Sequence, residues 1–304
     1  MSDFARGIGK DFVKRLNEEY EKCGWWHAIS SDPELFIAIR KEYLDVYLKG
    51  NRLLELRLKK GQLVGETHYK YLLLPNVPKH DIQIDNGMVV LPDASALFCT
   101  EVSNVRSLKR AADPYAGGEK DGVHKIVMSN PNVIDVEVAL SIEGNGEDAS
   151  AAKRIDFVAL SPAADGAQLV FFEAKLFSNK GVLRAEGDDE PQVVKQIEDY
   201  RNLLVEHAAD LERSYRVVCG NLSALKGVQE RYAKQADLMR DIAAGRTPLH
   251  VNEAVRLVVF DFDEDQRDGK IWTPHRKKLD SLLGKRLLLR GNPKEFTRGI
   301  STPE

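Results

Sequence analysis

The stretch RIDFVALSPAADGAQLVFFEAK, Arg154 to Lys175, decides how this chain is read. Two runs rich in apolar and β-branched residues, RIDFVAL and LVFFEAK, flank a Pro/Asp/Gly segment, and that pattern predicts a β-hairpin. With Ala164-Asp165 as the two-residue turn, Asp156 stands opposite Glu173; with Asp165-Gly166, it stands opposite Lys175. Either register puts Asp156, Glu173 and Lys175 on one sheet face, because side chains alternate along a strand. Ile155, Phe157, Val158, Val170, Phe171 and Phe172 read as buried, and charged groups on buried strands need partners or a metal. Two carboxylates offer hard oxygen ligands suited to Mg²⁺ or Mn²⁺, and a lysine beside them can orient or deprotonate a water.

Reading outward, PQVVKQIEDYRNLLVEHAADL (Pro191–Leu211) predicts a helix with proline at its start, and SYRVVCGN (Ser214–Asn221) a buried strand. A polar helix near Leu225–Ala244 and a strand in RLVVFDFD (Arg256–Asp263) follow. On the other side, Gly118–Asn130 reads as a helix ended by Pro131, and VIDVEVALSI (Val133–Ile142) as a strand. From Glu119 to Asn221 the order is helix, three strands, helix, strand, which is an α/β domain on a mixed sheet. The segment DPYAGG (Asp113–Gly118) breaks a helix expected over Val102–Ala112, so we divide the chain into residues 1–115 and 116–304.

The first of these domains reads as α+β. Phe4, Ile8, Phe12, Leu16 and Tyr20 recur at helical spacing, and a second helix is expected from Pro33 with Asp32 as its N-cap. From Glu42, the runs EYLDVYL, RLLELRL and LVGETHYKYLL alternate with period two and are separated by Gly-containing turns, which predicts an antiparallel meander. Asp81–Phe98 is too mixed to assign.

Taken in order, these residues resemble the PD-(D/E)xK, or restriction-endonuclease-like, nuclease superfamily. Asp156 matches its strand aspartate and Glu173-Ala174-Lys175 its Glu-x-Lys, although Ile155 replaces the proline of the strict pattern. Gln196 and Tyr200 look like the Gln-x-x-x-Tyr signature of stand-alone members, and with Gln192 they share one helical face. Glu119, in GEKDGVHKIVMSNPNVID, resembles the acid of the family's opening helix, with His124 as its rival. The resemblance implies an αβββαβ core and a metal held by Asp156, Glu173 and Glu119. It further implies that Lys175 activates water or stabilises phosphate charge, while Gln196 and Tyr200 orient Lys175 or contact the phosphate backbone.

Other features are read more plainly. Asp135 and Glu137 could add to the acidic site, but a solvated alternate face of their strand explains them more simply. VVFDFDED is similar to the Asp-x-Asp strand of haloacid-dehalogenase-like phosphatases, but Asp265 stands where that pattern has threonine. The same residues fail as an EF-hand loop, since Gln266 occupies the position needing glycine.

The 304 residues carry 43% hydrophobic and 30% charged side chains, enough apolar material for a sizeable core, which excludes disorder. A net charge of −3 means that any nucleic-acid binding rests on a local patch. Such a patch is offered by Arg276 to Arg298, where eight Lys/Arg face Asp280 and Glu295, as phosphate contacts or as a solvated tail. Cys23, Cys99 and Cys219 stand far apart, so a reduced, cytoplasmic protein is expected, without a membrane span or secretion signal.

The expected function is a Mg²⁺- or Mn²⁺-dependent nuclease hydrolysing phosphodiester bonds, with DNA the expected substrate and phage defence, restriction or repair the expected setting. Residues 1–115 would serve substrate choice or binding of a protein partner or second copy. The alternatives are a non-catalytic nucleic-acid or protein-binding module on the same fold, and a carboxylate-pair hydrolase of sugars, which leaves Lys175 unexplained.

Overall fold

In a computed structural model the described residues are 4–72, 81–90, 105–140, 153–296 and 300. The protein is mixed α/β, with an antiparallel six-stranded sheet and a mixed five-stranded sheet. Two compact units account for it: Ala5–Lys120 with Ser214–Arg246, and Met1–Phe4 with Asp121–Arg213 and Thr247–Glu304. The division expected after residue 115 thus falls five residues later, and the chain rejoins the first unit for Ser214–Arg246.

In the first unit, the helix expected over Phe4–Cys23 is shorter, α1 (Lys10–Glu21), which buries Phe12 and Leu16 and leaves Phe4 and Ile8 outside it; α2 (Trp25–Ser30) buries both tryptophans. The meander is present as β2 (Tyr43–Leu48), β3 (Asn51–Lys59) and β4 (Gln62–His68), flanked by β1 (Phe36–Ile39), β5 (Asp81–Asp85) and β6 (Met88–Val90) in sequential order. Lys49-Gly50 and Lys60-Gly61 make the two-residue turns with positive φ at both positions, which suits the strand twist. The helix expected from Pro33 is not formed. Asp32 Oδ1 instead accepts the Glu34 N–H at 2.9 Å in a turn, and FIAI, buried at every position, has no polar face to offer a helix and becomes β1. Helix α3 (Val105–Ala112) follows.

The second sheet has the order β7 (Val133–Leu140), β8 (Lys153–Ala163), β9 (Gly166–Leu176), β10 (Leu249–Phe260), β11 (Leu287–Arg290). β7, β8 and β9 pair antiparallel, while β10 runs parallel to β9 and β11. Helix α4 (Gly118–Ser129) precedes it, and Gly122 lets α4 come close: a Cβ there would sit 2.0 Å from the Phe260 ring. After β9 come the short α5 (Lys180–Leu183) and the long α6 (Gln192–Ala224), then α7 (Val228–Arg231) and α8 (Ala236–Ala243). The chain closes with α9 (Glu264–Asp268), α10 (Thr273–Leu283) and α11 (Pro293–Phe296) around β11.

The strand expected at Ser214–Asn221 is instead the last third of α6. Leu211, Tyr215, Val218, Cys219 and Leu222 are all buried, a helical stripe that continues without a breaker, while Val217, which a buried strand would cover, is 48% exposed. The helix–three strands–helix–strand order survives, but its last strand is β10. Residues 276–296 of the basic segment are folded into α10, β11 and α11 and are not a tail; Arg298 and Cys99 lie outside the described residues. Among the described residues, no helix is long and apolar enough to cross a membrane.

Candidate active site

The β8–β9 hairpin closes on Ala164-Asp165, with Ala163 opposite Gly166 and Phe157 opposite Phe172. Gly166, at φ +149, also allows the Pro248 carbonyl to approach to hydrogen-bond Ala167. This register puts Asp156 level with Glu173. Beyond Phe157 and Phe172 the two strands stop pairing. Residues 153–155 continue along β7, whereas Glu173–Leu176 continue along β10. At this fork the Asp156 carboxylate accepts the Ala174 N–H at 2.7 Å.

Glu173 is 1% exposed, and a carboxylate so buried needs compensation. Lys175 supplies it, with Nζ 2.5 Å from Glu173 Oε1. The same oxygen accepts Gln196 Nε2 at 2.8 Å, and Nε2 also donates to the Tyr200 hydroxyl at 2.7 Å. Tyr200 in turn donates to the Arg154 carbonyl at 2.6 Å. The spacing of Gln196 and Tyr200 by one helical turn makes this chain possible. Burial first, and then the charges of Glu173 and Asp156, push the Tyr200 pKa upward against the Gln196 hydrogen bond and Lys175, so the phenol stays a donor. Lys153 pairs with Asp199 at 2.7 Å and ties β8 to the same helix.

The structure therefore brings together Asp156, Glu173, Lys175, Gln196 and Tyr200. Glu119 is half-buried in the first turn of α4, one turn before Gly122, and belongs to the other compact unit; His124 on that helix is buried. Among the described residues, no group of three or more His, Cys, Asp or Glu side chains is placed to hold a metal ion; Asp156 and Glu173 are two carboxylates level with each other on one sheet face. Glu173 Oε2 is buried and takes no hydrogen bond among the described residues. Two hard oxygen donors fit Mg²⁺, which keeps several waters and takes its remaining ligands from substrate.

Asp135 corrects an expectation: it is fully buried on β7, not solvated, and its Oδ1 accepts the Val136 N–H at 2.8 Å. It stands opposite Val158, on the face carrying Asp156. Glu137, half-buried, lies 3.7 Å from Arg154 and holds a left-handed backbone at φ +51. Asp263 caps α9 in a reciprocal pair with Gln266, a structural duty that accounts for that acid in the Asp-x-Asp run. Much of the basic segment is engaged internally: Lys278 donates to the Gly187 and Asp189 carbonyls at 2.8 Å, Arg276 pairs with Asp268 and Asp280, and Arg286 with Glu198. Sequence reasoning missed the roles of the Arg154 carbonyl and the Ala174 N–H, because backbone groups leave no compositional mark.

No protein-family model, no curated protein and no solved structure matches this chain.

Proposed function

We propose that this protein is a metal-dependent nuclease that hydrolyses phosphodiester bonds, with DNA as its substrate. The observation that carries the reading is the fork itself: two carboxylates and a lysine meet where β8 and β9 part, and a glutamine–tyrosine pair fixes the buried carboxylate. A buried ion pair alone would call on the hydrogen bond from Gln196, but not on a second acid level with Glu173 on the same face.

Asp156 and Glu173 would hold Mg²⁺ or Mn²⁺, which when bound supplies an acidified water and charge stabilisation at phosphate. Two protein carboxylates suffice, because such a cation completes its shell with water and phosphate oxygens; Glu119 is not required for that set. Lys175 balances Glu173 before substrate enters, and its ammonium stands ready to donate to a phosphate oxygen as negative charge develops. Gln196 restricts the rotation of the Glu173 carboxylate. Tyr200, kept protonated by burial, holds the Gln196 amide in register against the Arg154 carbonyl.

The test is cleavage of supercoiled plasmid and of labelled single-stranded and duplex oligonucleotides, in Mg²⁺, in Mn²⁺ and in chelator. Cut product that depends on metal and disappears in Glu173→Gln supports the proposal. Binding of the same oligonucleotides without cleavage in any metal favours a non-catalytic binding module.

A further inference from the structure

Arg184 follows α5 directly and is half-buried. Its guanidinium carbon lies 5.6 Å from the centroid of the Phe177 ring and 5.8 Å from that of Trp272. These two rings pack edge-on at 5.0 Å, and Phe262 adds a third at 5.6 Å from Phe177. Phe177 and Trp272 are buried, so the guanidinium rests on a fixed aromatic seat. Among the described residues no carboxylate pairs with it, and its Nε–H is buried without an acceptor. Cations of the basic segment are treated differently, since Lys278, Arg276 and Arg286 all find partners within the protein.

An oriented guanidinium without an anion is arranged to receive one, and its planar fork of donors matches a phosphate. Its position relative to the fork is fixed by the chain. Phe177 lies two residues past Lys175, about 7 Å along the strand direction at ~3.3 Å per residue. Its N–H donates to the Phe260 carbonyl at 2.8 Å, anchoring the seat to the ends of β9 and β10. One strand of DNA advances about 3.4 Å per nucleotide, so the spacing from Lys175 to this seat is one that a few nucleotides can bridge.

We propose that Arg184 binds a phosphodiester group of the substrate strand a few nucleotides from the bond cleaved, as a positioning residue. The proposal rests on the nuclease reading for its substrate and on the unmatched, ring-seated cation for its chemistry.

The experiment measures binding of fluorescein-labelled single-stranded and duplex DNA by anisotropy, in chelator, over a series of KCl concentrations. Arg184→Met keeps apolar contact with the rings and removes the charge; Arg184→Lys keeps the charge and removes the fork; Arg184→Gln replaces Met if that variant fails to fold. The expected result for Arg184→Met is roughly tenfold weaker binding. The slope of log K against log salt falls by about 0.7 for single strands or 0.9 for duplex. In Mg²⁺ its KM for cleavage rises while kcat changes little, and Arg184→Lys keeps the salt slope. Wild-type affinity and salt slope in Arg184→Met would overturn the proposal, even if that variant melts earlier, since a purely structural arginine changes stability alone. Absence of cleavage by the wild type in Mg²⁺ counts against the nuclease reading, whereas loss of salt slope in Arg184→Met still supports the phosphate contact. If the wild type binds neither DNA at any salt, both ideas fall.

Discussion

The carboxylate of Asp156 accepts the backbone N–H of Ala174 at 2.7 Å, at the point where β8 and β9 cease to pair with each other. A side chain here takes a donor that a longer ladder would have given to a carbonyl. The strands part without stranding that N–H. Asp156 thus has two separable duties, one to the fold and one to the proposed cation.

Those duties predict different outcomes for two substitutions. Asp156→Asn retains a carbonyl oxygen for the Ala174 N–H and should stay within about 1 kcal/mol of wild type in urea unfolding. Asp156→Ala leaves a donor without its acceptor on a fully buried residue and should cost about 1–3 kcal/mol. Both should lose cleavage. Equal stability of the two variants would mean that the Ala174 hydrogen bond contributes nothing.

Tyr200→Phe keeps the ring and deletes both hydroxyl bonds, to the Arg154 carbonyl and from Gln196. We expect about 1–2 kcal/mol lower stability and a fall in metal affinity or turnover of about tenfold, in line with groups that orient a ligand from behind. Gln196→Leu should reproduce the loss of activity. Unchanged metal titration and cleavage in both would remove this relay from the mechanism.

Alkaline pH offers a third check. Burial pushes the Cys219 thiol up to about 12 and the Tyr71 phenol up to about 12, and raises Tyr200 as well. In the unfolded chain these groups ionise near about 8.5 for cysteine and 10 for tyrosine. As pH rises the unfolded state therefore loses protons first, so stability present in full below the unfolded pKa is lost as pH climbs toward the folded one. The urea midpoint should be level from about pH 7 to 8 and fall above about pH 9. Cys219→Ala should abolish the earliest part of that fall. A midpoint that holds through about pH 11 would contradict the burial argument.

Much of the site was legible because its geometry follows from short-range rules. Period-two alternation and a two-residue turn place Asp156, Glu173 and Lys175 on one face without knowledge of anything else in the chain. One helical turn likewise relates Gln196 to Tyr200. The failures lie where tertiary context outweighs composition. Ser214–Asn221 carries Val-Val-Cys, a strand-like run, yet its neighbours Leu211 and Leu222 extend a helical stripe through it. Gly220, inside that run, fits because α6 and α8 approach closely there: an added Cβ would lie 3.3 Å from that of Ala243. Asp135 looked solvated because its strand's burial depends on what packs over it. The seat of Arg184 joins Phe177 to Trp272, residues distant in sequence that nothing local connects.

The most direct measurement of the central claim is calorimetric titration of Mn²⁺ into Glu173→Gln and Lys175→Ala, run beside cleavage of plasmid by the same preparations. Glu173→Gln removes one of the two charges that concentrate the cation, so its metal affinity should fall by about tenfold or more. Lys175→Ala removes the ammonium paired with Glu173 at 2.5 Å and leaves both carboxylates, so metal should bind at least as well as to wild type. Bound metal should also restore stability that the unpaired buried carboxylate costs. Both variants should fail to cut. Wild-type cleavage by both would show that this cluster is not the active site, and loss of the fold by both, with metal giving no rescue, would leave Glu173 and Lys175 as a structural ion pair.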